Sequence, residues 1–203
     1  MKTNKIIVVV LLLPLMVISS YGQIDLGVKV GINVSTQLES GVSWSGDDLT
    51  VGLNAGGIIR YHVNEWLALK SDISYIQKGR RYRDLAKSSD IIQDRFHYII
   101  MPLKAEISIS EKAGLKGGQK LFFAAGPYYG LLLSAEKKDD NTSLNETTEN
   151  YDYGMSVDLG FEFPVKNQSI SFGINYEMGL SKFAKYDTEL RNNTISFNVG
   201  FIF

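Results

Sequence analysis

The sequence has no cysteine, only two histidines and four prolines among 203 residues. Without cysteine there is no disulfide framework and no thiolate metal site, so a small secreted domain stapled by bridges is excluded. Two histidines far apart in sequence also exclude the usual zinc spacings. A dominant charge is missing too. The net charge of −1 gives no basic stripe for nucleic acid. Beyond Gln23 no apolar run approaches the roughly 20 residues of a membrane helix. If the mature chain sits in a membrane, it does so with strands.

What is present starts with "MKTNKIIVVVLLLPLMVISSYGQ". Lys2 and Lys5 precede an apolar run from Ile6 to Ile18, and small and polar residues follow. That order is the layout of a secretory signal peptide, and the run is too short to span a bilayer. Ser20 and Gly22 suit the small-residue positions before a cut. Residues 1–22 are therefore expected to be a cleaved signal peptide, with 23–203 as one mature domain. No Cys follows the signal, so lipid attachment through an N-terminal Cys is excluded.

The mature sequence reads as strand almost throughout. Segments of period-two alternation are expected near 24–35, 49–62, 66–79, 95–109, 120–134, 151–163, 169–182 and 193–203. In "SISFGINYEMGLS" the residues Ile170, Phe172, Ile174, Tyr176, Met178 and Leu180 share one face, and polar residues and glycines share the other. The segments at 95–109 and 120–134 alternate less cleanly. Gaps after the second and sixth segments, "VNE" and "PVKNQ", are tight. Those after the odd segments are longer and hydrophilic, including "RRYRDLAKSSDIIQD". The pattern predicts an all-β fold, an antiparallel up-and-down transmembrane barrel of about eight strands.

Alternation alone also fits a soluble lipocalin-like barrel with its apolar face inward. Three features favour the inverted, membrane version. The polar face carries Lys29, Arg60, Lys70, Asp72, Lys104, Glu106, Asp158, Glu162 and Glu177, interspersed with glycines. Both signs in near balance suit a small barrel interior filled by an ion-pair network. Aromatics collect near segment ends (Tyr61, Trp66, Tyr75, Phe96, Tyr98, Tyr151, Tyr153, Phe163, Tyr176, Phe201, Phe203), as in interfacial girdles. The chain ends "NNTISFNVGFIF", with Phe197, Val199, Phe201 and Phe203 on one face. Such a last strand resembles the insertion signal that barrel assembly machinery reads in the bacterial outer membrane.

Several stretches carry a family resemblance: "GVKVGINVS", "YIIMPLKAEI" with its mid-strand Pro102, "AAGPYYGLLLSAE", "YDYGMSVDLGFEF" and "YEMGLSKF". In this order they resemble the PorT-like outer-membrane β-barrel family of Gram-negative bacteria, across essentially the whole mature chain. The resemblance implies a barrel in the cell outer membrane and assigns no activity. One member of that family is linked to protein secretion, but no motif here carries that role over.

Chemistry is sparse. His62 adjoins the short "VNE" turn. His97 lies near Ser88, Ser89, Asp90 and Asp94 and is the one candidate for a serine–histidine–acid site; it is read instead as an interfacial histidine. "GLKGGQK" lacks the spacing and Lys-Ser/Thr ending of a phosphate loop. "KKDDNTSLNE" lacks the glycine and spaced carboxylates of a calcium loop. No catalytic, cofactor or metal residues are assigned. Arg80, Arg81 and Arg83 are candidates for contact with lipopolysaccharide phosphates. The loop at 135–150 would meet any external protein partner; Asn141 and Asn145 match glycosylation acceptors without consequence in a bacterial chain. The expected protein is a structural or interaction barrel, plugged by charged side chains and with loops exposed outward. The alternatives are a narrow channel for ions or small solutes and, after it, a lipid-modifying enzyme.

Overall fold

In the computed structural model the described residues are 23–38, 49–84, 90–109, 115, 117–137, 143–144, 148–182 and 190–203. The expected signal peptide, Ser88, Ser89, Asn141 and Asn145 lie outside them. The strands are β1 (Ile24–Leu38), β2 (Thr50–His62), β3 (Leu67–Asp84), β4 (Asp90–Pro102), β5 (Lys104–Ile109), β6 (Lys120–Lys137), β7 (Tyr151–Val165), β8 (Gln168–Gly179) and β9 (Arg191–Ile202). β4 and β5 are two halves of one strand, so the ring has eight staves. Every stave pairs antiparallel with its sequence neighbours, and β9 closes on β1 from Gly27↔Ile202 to Leu38↔Arg191. Closure pairs both edges, the condition for a sheet in lipid.

The break at Leu103 has a local cause. Pro102 has no N–H to give the ladder. Its carbonyl instead accepts Ser71 Oγ at 2.7 Å, and Leu103 N–H donates to Pro127 O at 2.9 Å. A register shift between His97 and Tyr98 against β6 leaves Leu133 as the extra residue. This bulge moves Ala135 to the inner face and explains why alternation in both segments is poor.

Turn chemistry fits one end of the barrel. Asn64 Oδ1 accepts the N–H groups of Trp66 (3.0 Å) and Leu67 (2.8 Å), an Asx-turn between β2 and β3. A two-residue turn, Lys166–Asn167, joins β7 and β8. Gln23 and Phe203 both lie here: His62 N–H donates to Gln23 O, and Phe203 N–H to Leu26 O.

At the opposite, loop end β1 and β6 run on to Leu38 and Lys137, past their expected ends, and the largest difference lies between β3 and β4. The tract 80–94 was expected to be mostly loop, but pairs run from Arg80↔Asp94 to Asp84↔Asp90. β3 and β4 therefore extend as a long hairpin. The polar composition that suggested a loop hides an in-register Arg–Asp pair, 3.0 Å between Arg80 Nε and Asp94 Oδ2, of the kind that stabilises strands.

The two faces settle the polarity. Val30 is 61% exposed and Leu53 59%, while Arg60 is 2% exposed and Glu106 1%. Apolar side chains point outward and charges point inward, the arrangement of a membrane barrel. The interior is not wholly polar, however. Near the loop end Ile76, Phe96, Tyr98, Ile100, Tyr128 and Ala135 form a buried apolar cluster, with Leu132, Leu144 and Leu190 packed on it. Phe96 and Tyr98, each 1% exposed, are thus inside and do not belong to an interfacial girdle. The pleat puts them inward with Ile100 and Lys104.

Inner-face glycines make room for this filling. Gly160 pairs with Gly173, and the Phe122 ring occupies the space above them. A Cβ at Gly160 would stand 2.3 Å from Phe122 Cζ.

Candidate functional site

The concentrated chemistry of the molecule lies inside the barrel, in two ion-paired groups. The larger fills the turn-end half. Arg60, Lys70 and Lys104 stand side by side in one register row, Arg60↔Lys70 and Lys70↔Lys104. Like charges so placed would repel, and carboxylates from β3, β5 and β7 interleave them. Arg60 meets Glu106 (2.8 Å), Glu162 (3.0 Å) and Asp25 (3.2 Å). Lys70 meets Asp158 (3.1 Å), Glu106 (3.4 Å) and Asp72 (3.8 Å). Lys104 bridges Asp72 and Asp158, and Lys29 stands 3.7 Å from Asp72. Lys70 also lies over the Phe122 ring, 4.6 Å from its centre, a cation–π contact.

The smaller group sits toward the loop end. Lys78 Nζ is 2.9 Å from both Asp152 Oδ2 and Glu177 Oε2. The rings of Tyr98 and Tyr128 flank it at 5.6 and 5.1 Å, and Tyr128 OH donates to Asp152 at 3.2 Å. Ser181 Oγ donates to the other Asp152 oxygen at 2.8 Å. A buried charge is tolerable only when paired and hydrogen-bonded in this way.

All nine residues expected in the interior network point inward. The structure divides them: eight belong to the larger group, and Glu177 belongs with Lys78 and Asp152. Sequence reasoning did not include Lys78, Asp152 or Asp25 in the network. Lys78 keeps the even spacing of Lys70 and Asp72, and Asp152 that of Asp158, so the signal was present. Ile76, inserted in the same face, interrupted it.

Two small voids, about 30 and 10 Å³, lie among Lys29, Asp72, Asn175 and Asn198. At roughly 10–15 Å³ per enclosed water, they hold a very few water molecules.

At the turn end His62 Nε2 lies 2.7 Å from Asp25 Oδ2. His97 points to the outer face, where it stacks on Tyr75 at 5.8 Å between ring centres and shares a hydrogen bond with its hydroxyl. Asp94, the acid placed near it by sequence, turns to the inner side and pairs with Arg80. The three arginines also part company: Arg80 is held by Asp94, Arg81 is exposed on the outer face, and the side chain of Arg83 lies outside the described residues. Of the terminal set, Phe197 and Val199 are exposed on the outer face of β9, and Phe201 packs edge-on against Phe203. Among the described residues no cluster of His, Asp or Glu is arranged to hold a metal ion.

A closed antiparallel ring with an apolar exterior and charged interior defines the class, an integral outer-membrane barrel. The profile of the family described as "Outer membrane protein beta-barrel domain" matches residues 16–185, and the chain belongs to that family. Its place is the outer membrane. No curated protein matches the sequence. Among solved structures the chain is similar to Neisserial surface protein A (12% identity, TM-score 0.54, 86% of this chain and 95% of that one). It is similar to OprG of Pseudomonas aeruginosa (10%, 0.54, 88% and 95%). The attachment invasion locus protein Ail of Yersinia pestis aligns over 89% of this chain and 99% of its own, at 18% identity and TM-score 0.45.

Proposed function

We propose that this is a PorT-like barrel with a structural or interaction role, a closed wall-to-wall plug that presents its loop end to the exterior. The observation that carries the reading is the interior: long charged side chains paired across the lumen, with voids of only about 30 and 10 Å³. No solute larger than water fits such space without breaking ion pairs. On this reading the barrel is not an enzyme, and His97 serves the outer surface. The outward apolar residues of β9, ending at Phe203, serve as the signal for the assembly machinery. An external protein partner would meet the segment between β6 and β7, residues 138–150.

The test is conductance of the purified barrel in a planar bilayer. The expected record has no unitary steps. Steps whose size changes on Arg60→Gln or Glu177→Gln would replace this reading with a narrow channel. Altered lipid A in a deletion strain, restored by the wild-type gene and not by His97→Ala, would replace it with an enzyme.

A further inference from the structure

The outer wall should be apolar at membrane depth, because an unsatisfied polar group facing hydrocarbon is costly. β3 and β4 depart from it at Ser71, whose hydroxyl donates to Pro102 O, and in one further place. Tyr75, Gln77 and His97 all point outward, half-buried, next to Ile73 and Ile99. They satisfy one another. Gln77 Nε2 donates to Tyr75 OH at 3.3 Å, and Tyr75 OH bonds His97 Nδ1. The Tyr75 oxygen accepts from Gln77 and keeps its own hydrogen free to donate to Nδ1. In the tautomer that takes this bond, the imidazole carries its proton on Nε2 and the relay ends in an N–H donor on the outer surface.

Two cations stand immediately above it toward the loop end. Gln77 is in register with His97, Gly79 with Arg95, and Arg81 with Gln93. Arg81 and Arg95 are thus diagonal neighbours on the same outward face, one exposed and one half-buried. Glu136 of β6 lies in register with Arg95 on that face and is the one described carboxylate beside the pair. Two guanidinium groups and an imidazole N–H, on the rim of an apolar wall, match an anion that itself lies at the water–hydrocarbon boundary.

We propose that Arg81, Arg95 and the Nε2–H of His97 form a binding site for a phosphate of the outer-leaflet lipopolysaccharide headgroup. The fatty chains of that lipid then lie along the apolar wall below, over Ile73 and Ile99. This replaces the Arg80–Arg81–Arg83 set expected from sequence, since Arg80 is held on the inner side. It explains why a lipid-facing surface carries a hydrogen-bonded relay. The proposal rests on the loop end facing outward, as the proposed function does, and is independent of whether the lumen conducts.

The test uses the mature chain folded in nanodiscs, with binding of fluorescent lipid A read by titration. Three results are expected. Lipid A with both phosphates binds more tightly than its enzymatically dephosphorylated form. R81Q and R95Q each weaken binding roughly tenfold, in line with a charged hydrogen bond. R191Q, which alters an exposed cation at the same end of β9, leaves it unchanged. His97→Phe keeps the ring stack but removes the donor, and weakens binding severalfold. Equal affinity for the dephosphorylated lipid overturns the site without any variant. So does an effect of R191Q equal to that of R81Q, which would mean diffuse attraction by net charge. Heat-shifted mobility on an SDS gel verifies that each variant is folded. A conducting barrel with intact headgroup binding would sink the closed-plug reading alone.

Discussion

Replacing Lys78 with methionine isolates the smaller interior group, because the substitution keeps length and bulk while deleting one charge. Lys78 is 1% exposed and lies 2.9 Å from each of two carboxylates. Without it Asp152 and Glu177 face each other with no cation between them. Removing one partner of a buried pair costs about 3–5 kcal/mol. The expected loss is therefore about 3–5 kcal/mol, roughly a 150-fold to several-thousandfold shift in the folding equilibrium.

The assay is reversible urea unfolding from lipid vesicles, read by tryptophan emission and by the fraction of compact band on an unboiled gel. One control makes it decisive. Lys104→Met removes an equally buried cation from the larger group, but Asp72 keeps Lys29 and Lys70, and Asp158 keeps Lys70. Its loss should be smaller, about 1–2 kcal/mol. A Lys78→Met variant within about 0.5 kcal/mol of wild type, or a Lys104→Met loss equal to that of Lys78→Met, would refute the account of a dry, singly compensated cluster.

Two further substitutions probe the wall. Gly160→Val forces a Cβ to within 2.3 Å of Phe122 Cζ and 2.5 Å of the Phe172 carbonyl; we expect a loss of at least 1–3 kcal/mol, and Phe122→Ala in the same chain should restore only part, since the backbone clash remains. Ser71→Ala removes the hydroxyl that donates to Pro102 O at 2.7 Å. It should cost about 1–2 kcal/mol by the same unfolding assay, and a neutral result would mean that carbonyl has another donor.

Most of the fold was legible because a barrel in lipid writes its faces directly into sequence parity. Ile170 to Leu180 and Tyr151 to Phe163 alternate without interruption, and β8 and β7 follow them closely. Legibility failed where parity slipped or where composition misled. Leu133 shifts the phase of β6 by one residue, so Ala135 and the residues beyond it could not be assigned a face. The polar tract 80–94 looked like loop because strand propensity says little about a charged hairpin whose stability comes from cross-strand pairs.

The interior was legible as a list and not as a set of partners. Alternation says that Lys70, Asp158 and Glu177 face inward; it does not say which of them touch, because contact across a lumen depends on shear and register between strands far apart in sequence. Nor does parity separate an inward aromatic from an outward one when both lie near a strand end, and this is how Phe96 and Tyr98 came to be assigned to a girdle. The two faces are under unequal constraint. Lipid accepts any apolar side chain, so the outer face can drift freely, whereas Lys78 needs Asp152 and Glu177, and Phe122 needs Gly160. A fold shared with Neisserial surface protein A at 12% identity fits that asymmetry. The wall keeps its parity while each lumen must be complementary only to itself. What distinguishes one such barrel from another is then carried by inward pairs and by exceptions on the outer face, of which the Gln77–Tyr75–His97 relay is one.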